Sequence, residues 1–162
     1  MAQEKIPNTR AILELRAGDV EFEARLYRYG GTGQVALEAA EGIGAPPEEV
    51  FKTLVFLCGE EPVVAVVDAL HTVSVAKLGA AFGGGQKATP CQPRDAERLT
   101  GYQVGGISPL GQKRQLPTFL DDRALGFERI WINGGSHGLM IRIGVEDLLR
   151  LTGARVADLV RE

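Results

Sequence analysis

The chain has little cysteine: only Cys58 and Cys91, with no short spacing between them. A disulfide framework or a structural zinc site needs more ligands at closer spacing, so neither is expected. No apolar run approaches the ~20 residues of a membrane-spanning helix. The net charge is only −3, too small for general attraction to nucleic acid or membrane. Residues 1–16 start charged and polar, without the apolar core of a signal peptide. No internal repeat, low-complexity tract or linker appears. These absences describe a cytoplasmic protein with free thiols, no metal and no contact with membrane. What is present is ordinary for a globular domain: 44% apolar and 24% charged residues. A length of 162 residues suits one domain, residues 1–162, around one core.

Charge is unevenly placed. Between Gln86 and Arg114 there are five basic residues (Lys87, Arg94, Arg98, Lys113, Arg114) and two acidic ones (Asp95, Glu97). Such a run is either a solvated face or a patch that meets an anionic partner.

Patterning predicts strands in hairpins with single helices between them. A capped helix covers Thr9 to Arg16, with Gly18 ending it. Phe22 to Tyr29 alternates like a half-buried strand. Val35 to Ala40 reads as a helix closed by Gly42 and Gly44, and one further turn starts at Pro46-Pro47. Phe51 to Leu57 and Val63 to Val67 are β-branched strands that predict a hairpin. Helices follow over Val73 to Phe82 and Arg94 to Leu99, and a strand over Leu116 to Leu120. Arg129 to Asn133 and Leu139 to Ile143 form a second hairpin around Gly134-Gly135-Ser136-His137-Gly138. A helix over Val145 to Leu151 and an apolar stretch, Val156 to Val160, end the chain. The order predicts an α+β fold, a curled, mixed but mostly antiparallel sheet with helices packed outside, rather than a doubly wound α/β sheet.

Two features stand out. From Gly101 to Gly111, four glycines and Pro109 fall in eleven residues. Glycine lets main-chain N–H groups approach a ligand closely, and such a loop can aim them at a carbonyl oxygen or phosphate. It can equally be a plain connector. Lys52 sits in the otherwise apolar strand Val50-Phe51-Lys52-Thr53-Leu54-Val55-Phe56. Lysine is rarely buried without a partner. It either meets solvent at the strand entrance or points into a polar cleft.

Other reactive residue types carry less. His71 has no paired carboxylate or metal spacing in sequence and reads as structural or surface. His137 is either a turn residue or part of a pocket wall beside Met140. Cys91 has no general base in sequence and reads as a packed thiol. Ser108 has no matching His–Asp pair and is not read as a nucleophile. Trp131 reads as core or sheet-face packing. Gly84 to Thr89 lacks the ending of a phosphate loop.

The block Val104-Gly105-Gly106-Ile107-Ser108-Pro109-Leu110-Gly111-Gln112 follows Thr100-Gly101-Tyr102 and precedes Lys113, Arg114, Leu116 and Pro117. It resembles the signature of the YbaK/EbsC family, free-standing relatives of the bacterial prolyl-tRNA synthetase editing domain. Phe51-Lys52-Thr53-Leu54 resembles that family's lysine motif, and Gly134-Gly135 with Gly138-Leu139 its C-terminal hairpin. The resemblance spans about Phe22 to Asp158. It implies a cofactor-free hydrolase that removes a wrong amino acid from mischarged aminoacyl-tRNA, chiefly cysteine, alanine or another small residue from tRNA-Pro, with prolyl-tRNA synthetase as a partner. It implies that Lys52 is the essential lysine and that Gly105, Gly106, Ile107, Ser108 and Pro109 form the catalytic loop. Tyr27 matches the family's early-strand tyrosine. Gly135, His137, Met140, Lys113 and Arg114 are the further residues expected at the substrate, the last two at acceptor-stem phosphates unless they are a solvated pair. Cysteine-removing members carry an aspartate where this chain has Met140, which argues against a strict cysteine specificity. A non-catalytic module that binds an aminoacyl end, and a hydrolase of small esters, are the alternative readings.

Overall fold

The computed structural model describes residues 5–31 and 33–162. The part of the N-terminal reading that falls on residues 1–4 lies outside them. The first helix, α1 (Arg10–Ala17), begins where Thr9 accepts the Ile12 N–H at 3.2 Å and stops at Gly18. Its buried face is Ala11, Ile12 and Leu15. Strand β1 (Phe22–Leu26) is shorter than the alternation predicts. Its antiparallel partner β7 (Leu139–Gly144) begins opposite Leu26, so the ladder runs out there. Tyr27 N–H still reaches Gly138 O at 2.9 Å, after which the chain departs and Tyr29 stacks on His137.

Helix α2 (Val35–Ile43) runs through Gly42 and is capped by Gly44, at φ +71°. Gly42 is there for closeness: a Cβ would lie 2.6 Å from Tyr27 Cβ. One 3-10 turn (Pro47–Glu49) leads into β2 (Phe51–Cys58). Gly59-Glu60 turns it into antiparallel β3 (Glu61–Asp68), as the sequence suggests. From Val63 to Val67 every β3 residue is buried, whichever face it points to. A strand covered on both sides reads as a continuous apolar run, and two cores flank it. Val64 and Val66 pack with α1, Leu116 and the inner faces of β6 and β7; Val63, Ala65 and Val67 pack with Val73, Leu78, Phe119 and Val160.

The remaining elements are α3 (Val75–Phe82), β4 (Thr89–Pro90), α4 (Pro93–Thr100), β5 (Thr118–Asp121), a second 3-10 segment (Asp122–Gly126), β6 (Arg129–Asn133), α5 (Val145–Thr152) and β8 (Arg155–Ala157). Pattern alone does not reveal β4, two residues with a proline, which fits only at a sheet edge. The apolar stretch Val156 to Val160 contributes β8, then buries Leu159 and Val160.

The strands form two sheets. One is antiparallel, in the order β1-β7-β6; the other runs β4-β2-β3-β5-β8, antiparallel through β3 and parallel beyond it. The fold is therefore α+β and mostly antiparallel, as expected, but the curled sheet is divided. A single bridge, Val50 with Trp131, joins the halves. Past it no ladder connects β2 to β6, and β4 reaches β2 only at Phe56 and Leu57. Among the described residues no strand pairs with the edge of β2 between Phe51 and Val55 on that side, where only Cys91 N–H reaches Val55 O, at 3.1 Å.

Candidate functional site

A cavity of about 680 Å³ lies along that free edge. Lys52 and Thr53 line it from β2, Gly105 and Ile107 from the glycine-rich loop, Asn133 from β6 and Met140 from β7. Three of the exposed large apolar side chains, Leu37, Leu70 and Val104, stand among its lining residues too.

The loop is held open by its own polar groups. Thr100, the last residue of α4, donates its hydroxyl to Ala96 O at 2.7 Å and accepts Tyr102 N–H at 3.2 Å. Tyr102 is buried and donates to Leu110 O at 2.6 Å, tying the two arms of the loop together. Burial and the Glu14 charge push its phenol well above the ordinary tyrosine range. Gln112 bridges Ser108 O at 3.1 Å and Leu116 N–H at 3.2 Å. The Gly111 N–H donates to the Glu14 carboxylate, and Val104 N–H to Glu97 at 2.9 Å. Ser108 is fully buried, with Oγ accepting Leu110 N–H at 3.2 Å, so its hydroxyl is closed to a substrate.

Against this bracing, a few groups stay unspent. The amide N–H groups of Gly105, Ile107 and Ser108 have no acceptor among the described residues. Buried main-chain donors are nearly always paired; of these three residues, Gly105 and Ile107 line the cavity. Gly105 has φ +90°, and a Cβ there would lie 2.9 Å from the Tyr29 hydroxyl. Only glycine tolerates both conditions.

Lys52 is half-buried and makes no ion pair or hydrogen bond among the described residues. Burial pulls its ammonium below the ordinary lysine value, and the negative charge of Asp68 partly offsets that. Asp68 itself is 2% exposed. It accepts Leu70 N–H at 2.9 Å and holds His71 Nδ1 at 2.7 and 2.9 Å from its two oxygens. His71 therefore has a paired carboxylate after all, three residues before it, and it borders the cavity. Thr53 Oγ1 is buried without a hydrogen-bond partner.

Of the residues expected from sequence, Lys52, Gly105, Ile107 and Met140 come together around one cavity. Gly106, Ser108 and Pro109 are buried behind it. Tyr27 packs behind Met140, its hydroxyl buried without a partner among the described residues. Burial, with the charges of Glu38 and Tyr29, raises its phenol. Met140, 3% exposed, belongs to an apolar cluster with Ala39, Ala40, Val50, Ala69 and Trp131. Gly135 and His137 lie at the hairpin tip and do not line the cavity; His137 reaches it through Val104 O, at 2.9 Å from Nε2. Lys113 and Arg114 are exposed and outside the lining, with Arg114 at 4.0 Å from Glu61. Sequence reasoning misses Thr53, the Asp68–His71 pair and Asn133. For His71 the signal was present, a carboxylate at i−3. For Asn133 nothing local marks the role.

A family model described as the aminoacyl-tRNA editing domain matches residues 33–151. The chain is 31% identical, over 98% of both sequences, to a protein of Enterococcus faecalis named EbsC, a candidate Cys-tRNA(Pro)/Cys-tRNA(Cys) deacylase. It is also 31% identical to the proline–tRNA ligase of Anaeromyxobacter sp., over 82% of this chain and 23% of that enzyme. Among solved structures, a candidate trans-editing enzyme for prolyl-tRNA synthetase superposes with a TM-score of 0.82 at 29% identity, over 98% of this chain and all of the other.

Proposed function

This chain belongs to the aminoacyl-tRNA editing domain family, and from that membership we infer that it is an aminoacyl-tRNA deacylase, one that frees mischarged tRNA-Pro of cysteine, alanine or another small amino acid. The observation that carries the reading is the convergence of Lys52 with the unpaired amides of Gly105 and Ile107 on one cavity. An aminoacyl ester is already activated, so no strong nucleophile is required. What the protein must do is orient the carbonyl and stabilise the charge that develops on its oxygen. Water adds to the carbonyl carbon and gives up a proton, the carbonyl oxygen becomes an oxyanion, and as the carbonyl re-forms the C–O bond to the ribose breaks, the departing ribose oxygen taking up the proton to become a hydroxyl. The loop N–H groups receive the oxyanion. Lys52 adds positive charge to the same space, favouring the anionic groups of the acceptor end. Lys113 and Arg114 lie further out, where contacts to phosphates are independent of sequence.

The floor of the cavity supports a small uncharged side chain. Met140 offers a thioether where cysteine-removing relatives offer a carboxylate, and its neighbours are alanine, valine and tryptophan. The substrate sets the place of action, the cytoplasm, with prolyl-tRNA synthetase as the source of the mischarged species.

The test is a deacylation panel: tRNA-Pro carrying alanine, cysteine, serine or proline, each incubated with the enzyme. Release of a small wrong residue, with Pro-tRNA-Pro spared, is the expected result. Tight tRNA binding without turnover on any species would instead make the chain a binding module. Turnover of free aminoacyl esters alone would make it a small-ester hydrolase.

A further inference from the structure

The two peptide units flanking Gly105 are pinned from outside the loop. Val104 O lies 2.9 Å from His137 Nε2. A carbonyl only accepts, so Nε2 carries the hydrogen in every protonation state of the ring that makes this contact. Gly105 O accepts from Asn133 Nδ2 at 3.0 Å. Both pinning side chains are themselves held. Asn133 Oδ1 accepts Gly135 N–H at 2.8 Å, and the His137 ring stacks on Tyr29 with centroids 4.1 Å apart and planes 7° from parallel.

All peptide bonds are trans among the described residues, so in each unit the C=O and N–H point in opposite directions. In the 105–106 unit both ends are occupied, because Gly106 N–H donates to Gln103 O at 2.8 Å. In the 104–105 unit only the oxygen is occupied, and the N–H of Gly105 is directed away from His137. Without that anchor no hydrogen bond among the described residues holds the Val104–Gly105 peptide against a flip, and on the Gly105 side glycine accepts both orientations at little cost. A flip would replace a donor by a carbonyl oxygen, which repels an oxyanion.

We infer that His137, braced by Tyr29, and Asn133 are positioning residues that fix the peptide planes around Gly105 so that its N–H, rather than the Val104 oxygen, faces the reacting carbonyl. The inference rests on the deacylase reading for its consequence, but not for its geometry. An interaction made only with the developing charge affects kcat rather than KM. Loss of a whole oxyanion donor costs about 10²–10³ in kcat. Loss of its anchor, which leaves the donor correctly placed part of the time, is expected to cost about tenfold to a hundredfold.

The variants are His137→Ala, His137→Gln, whose amide nitrogen reaches a similar position, and Asn133→Asp, which keeps the acceptor for Gly135 N–H and loses the donor to Gly105 O. Each is measured by steady-state deacylation of the species that wild type hydrolyses best, and by a crystal structure. His137→Ala and Asn133→Asp are expected to lower kcat with KM near wild type, and His137→Gln to recover most of the loss. In the His137→Ala crystal the Val104 carbonyl is expected to have turned. Unchanged kcat in His137→Ala, or a loss that Gln does not restore while the carbonyl stays in place, would overturn the inference. Should wild type hydrolyse no aminoacyl-tRNA, the functional reading fails. The crystal then decides the positioning alone: a turned Val104 carbonyl upholds it and an unmoved one overturns it.

Discussion

The two walls of the cavity are built on opposite principles. In the loop from Tyr102 to Gln112, most polar groups are consumed: by Tyr102, Thr100, Gln112, Glu14 and Glu97 within and below it, and by Asn133 and His137 across from it. On the facing edge of β2, polar groups are left over. Among the described residues Lys52 has no ion pair and Thr53 Oγ1 has no hydrogen-bond partner. A braced loop spends interactions on holding a few N–H groups still, whereas a strand already held by β3 keeps its side chains free. Rigid donors and a free charge are what stabilisation of an oxyanion asks for, because fixed dipoles need no reorganisation when charge appears.

The contrast can be broken from either side. The largest effect is expected from Gly105→Ala. The new Cβ meets the tip of the Tyr29 side chain at 2.9 Å, and φ at +90° strains any residue with a Cβ, so the backbone at 105 is driven from its place. Strain of this kind costs about 1–3 kcal/mol, and the displaced donors should lower kcat about 10²–10³-fold. Thermal melts and single-turnover rates read the two parts separately.

Next comes the charge on the opposite wall. Because burial lowers the Lys52 pKa in the folded state, its charge is lost at a pH below the ordinary lysine value of about 10.4. Deacylation, corrected for spontaneous hydrolysis, should fall on the alkaline side below that value. The stability effect has the opposite sign. Between the two pKa values the unfolded chain binds more protons, so stability rises with pH across that window. For the same reason Lys52→Met should abolish most activity yet raise the melting temperature at neutral pH, by on the order of 2 °C.

Tyr102→Phe removes the strut between the loop's arms and leaves the buried Leu110 carbonyl short of one donor, for about 1–3 kcal/mol. Activity should drop with it, because the struts and the free amides share one loop. Thr53→Val is expected to do least to the fold. It replaces an unpartnered buried hydroxyl by a methyl group and should leave stability unchanged or raise it by about 1 kcal/mol. Denaturant titration checks both.

Much of this architecture was legible in the chain. The β2–β3 hairpin announced itself through β-branched runs around Gly59-Glu60, and Thr9 and Gly18 marked both ends of α1. The glycine-rich loop and Lys52 stood out because each broke the pattern around it, glycine where a chain needs positive φ and lysine where a strand needs apolar faces. What stayed hidden depends on distant pairings. The division of the sheet rests on a single bridge between Val50 and Trp131. The early end of β1 follows from where β7 starts. The parallel strands β3, β5 and β8 adjoin only after long crossings. Asn133 and His137 reach the loop across 28 and 33 residues of sequence, and no local spacing encodes that. Asp68 and His71 differ: they stand three residues apart, but Asp68 closes a strand and His71 lies beyond it, so no single element's periodicity pairs them.

Lys52 and the loop amides are expected to act on the same ester. Single-turnover deacylation of Ala-tRNA-Pro and Cys-tRNA-Pro by wild type and Lys52→Ala tests it most directly. Rapid release of at least one of the two by wild type is expected, with a loss of about 10²-fold or more in the variant. Equal rates in both proteins, with Lys52→Ala folded, would contradict it.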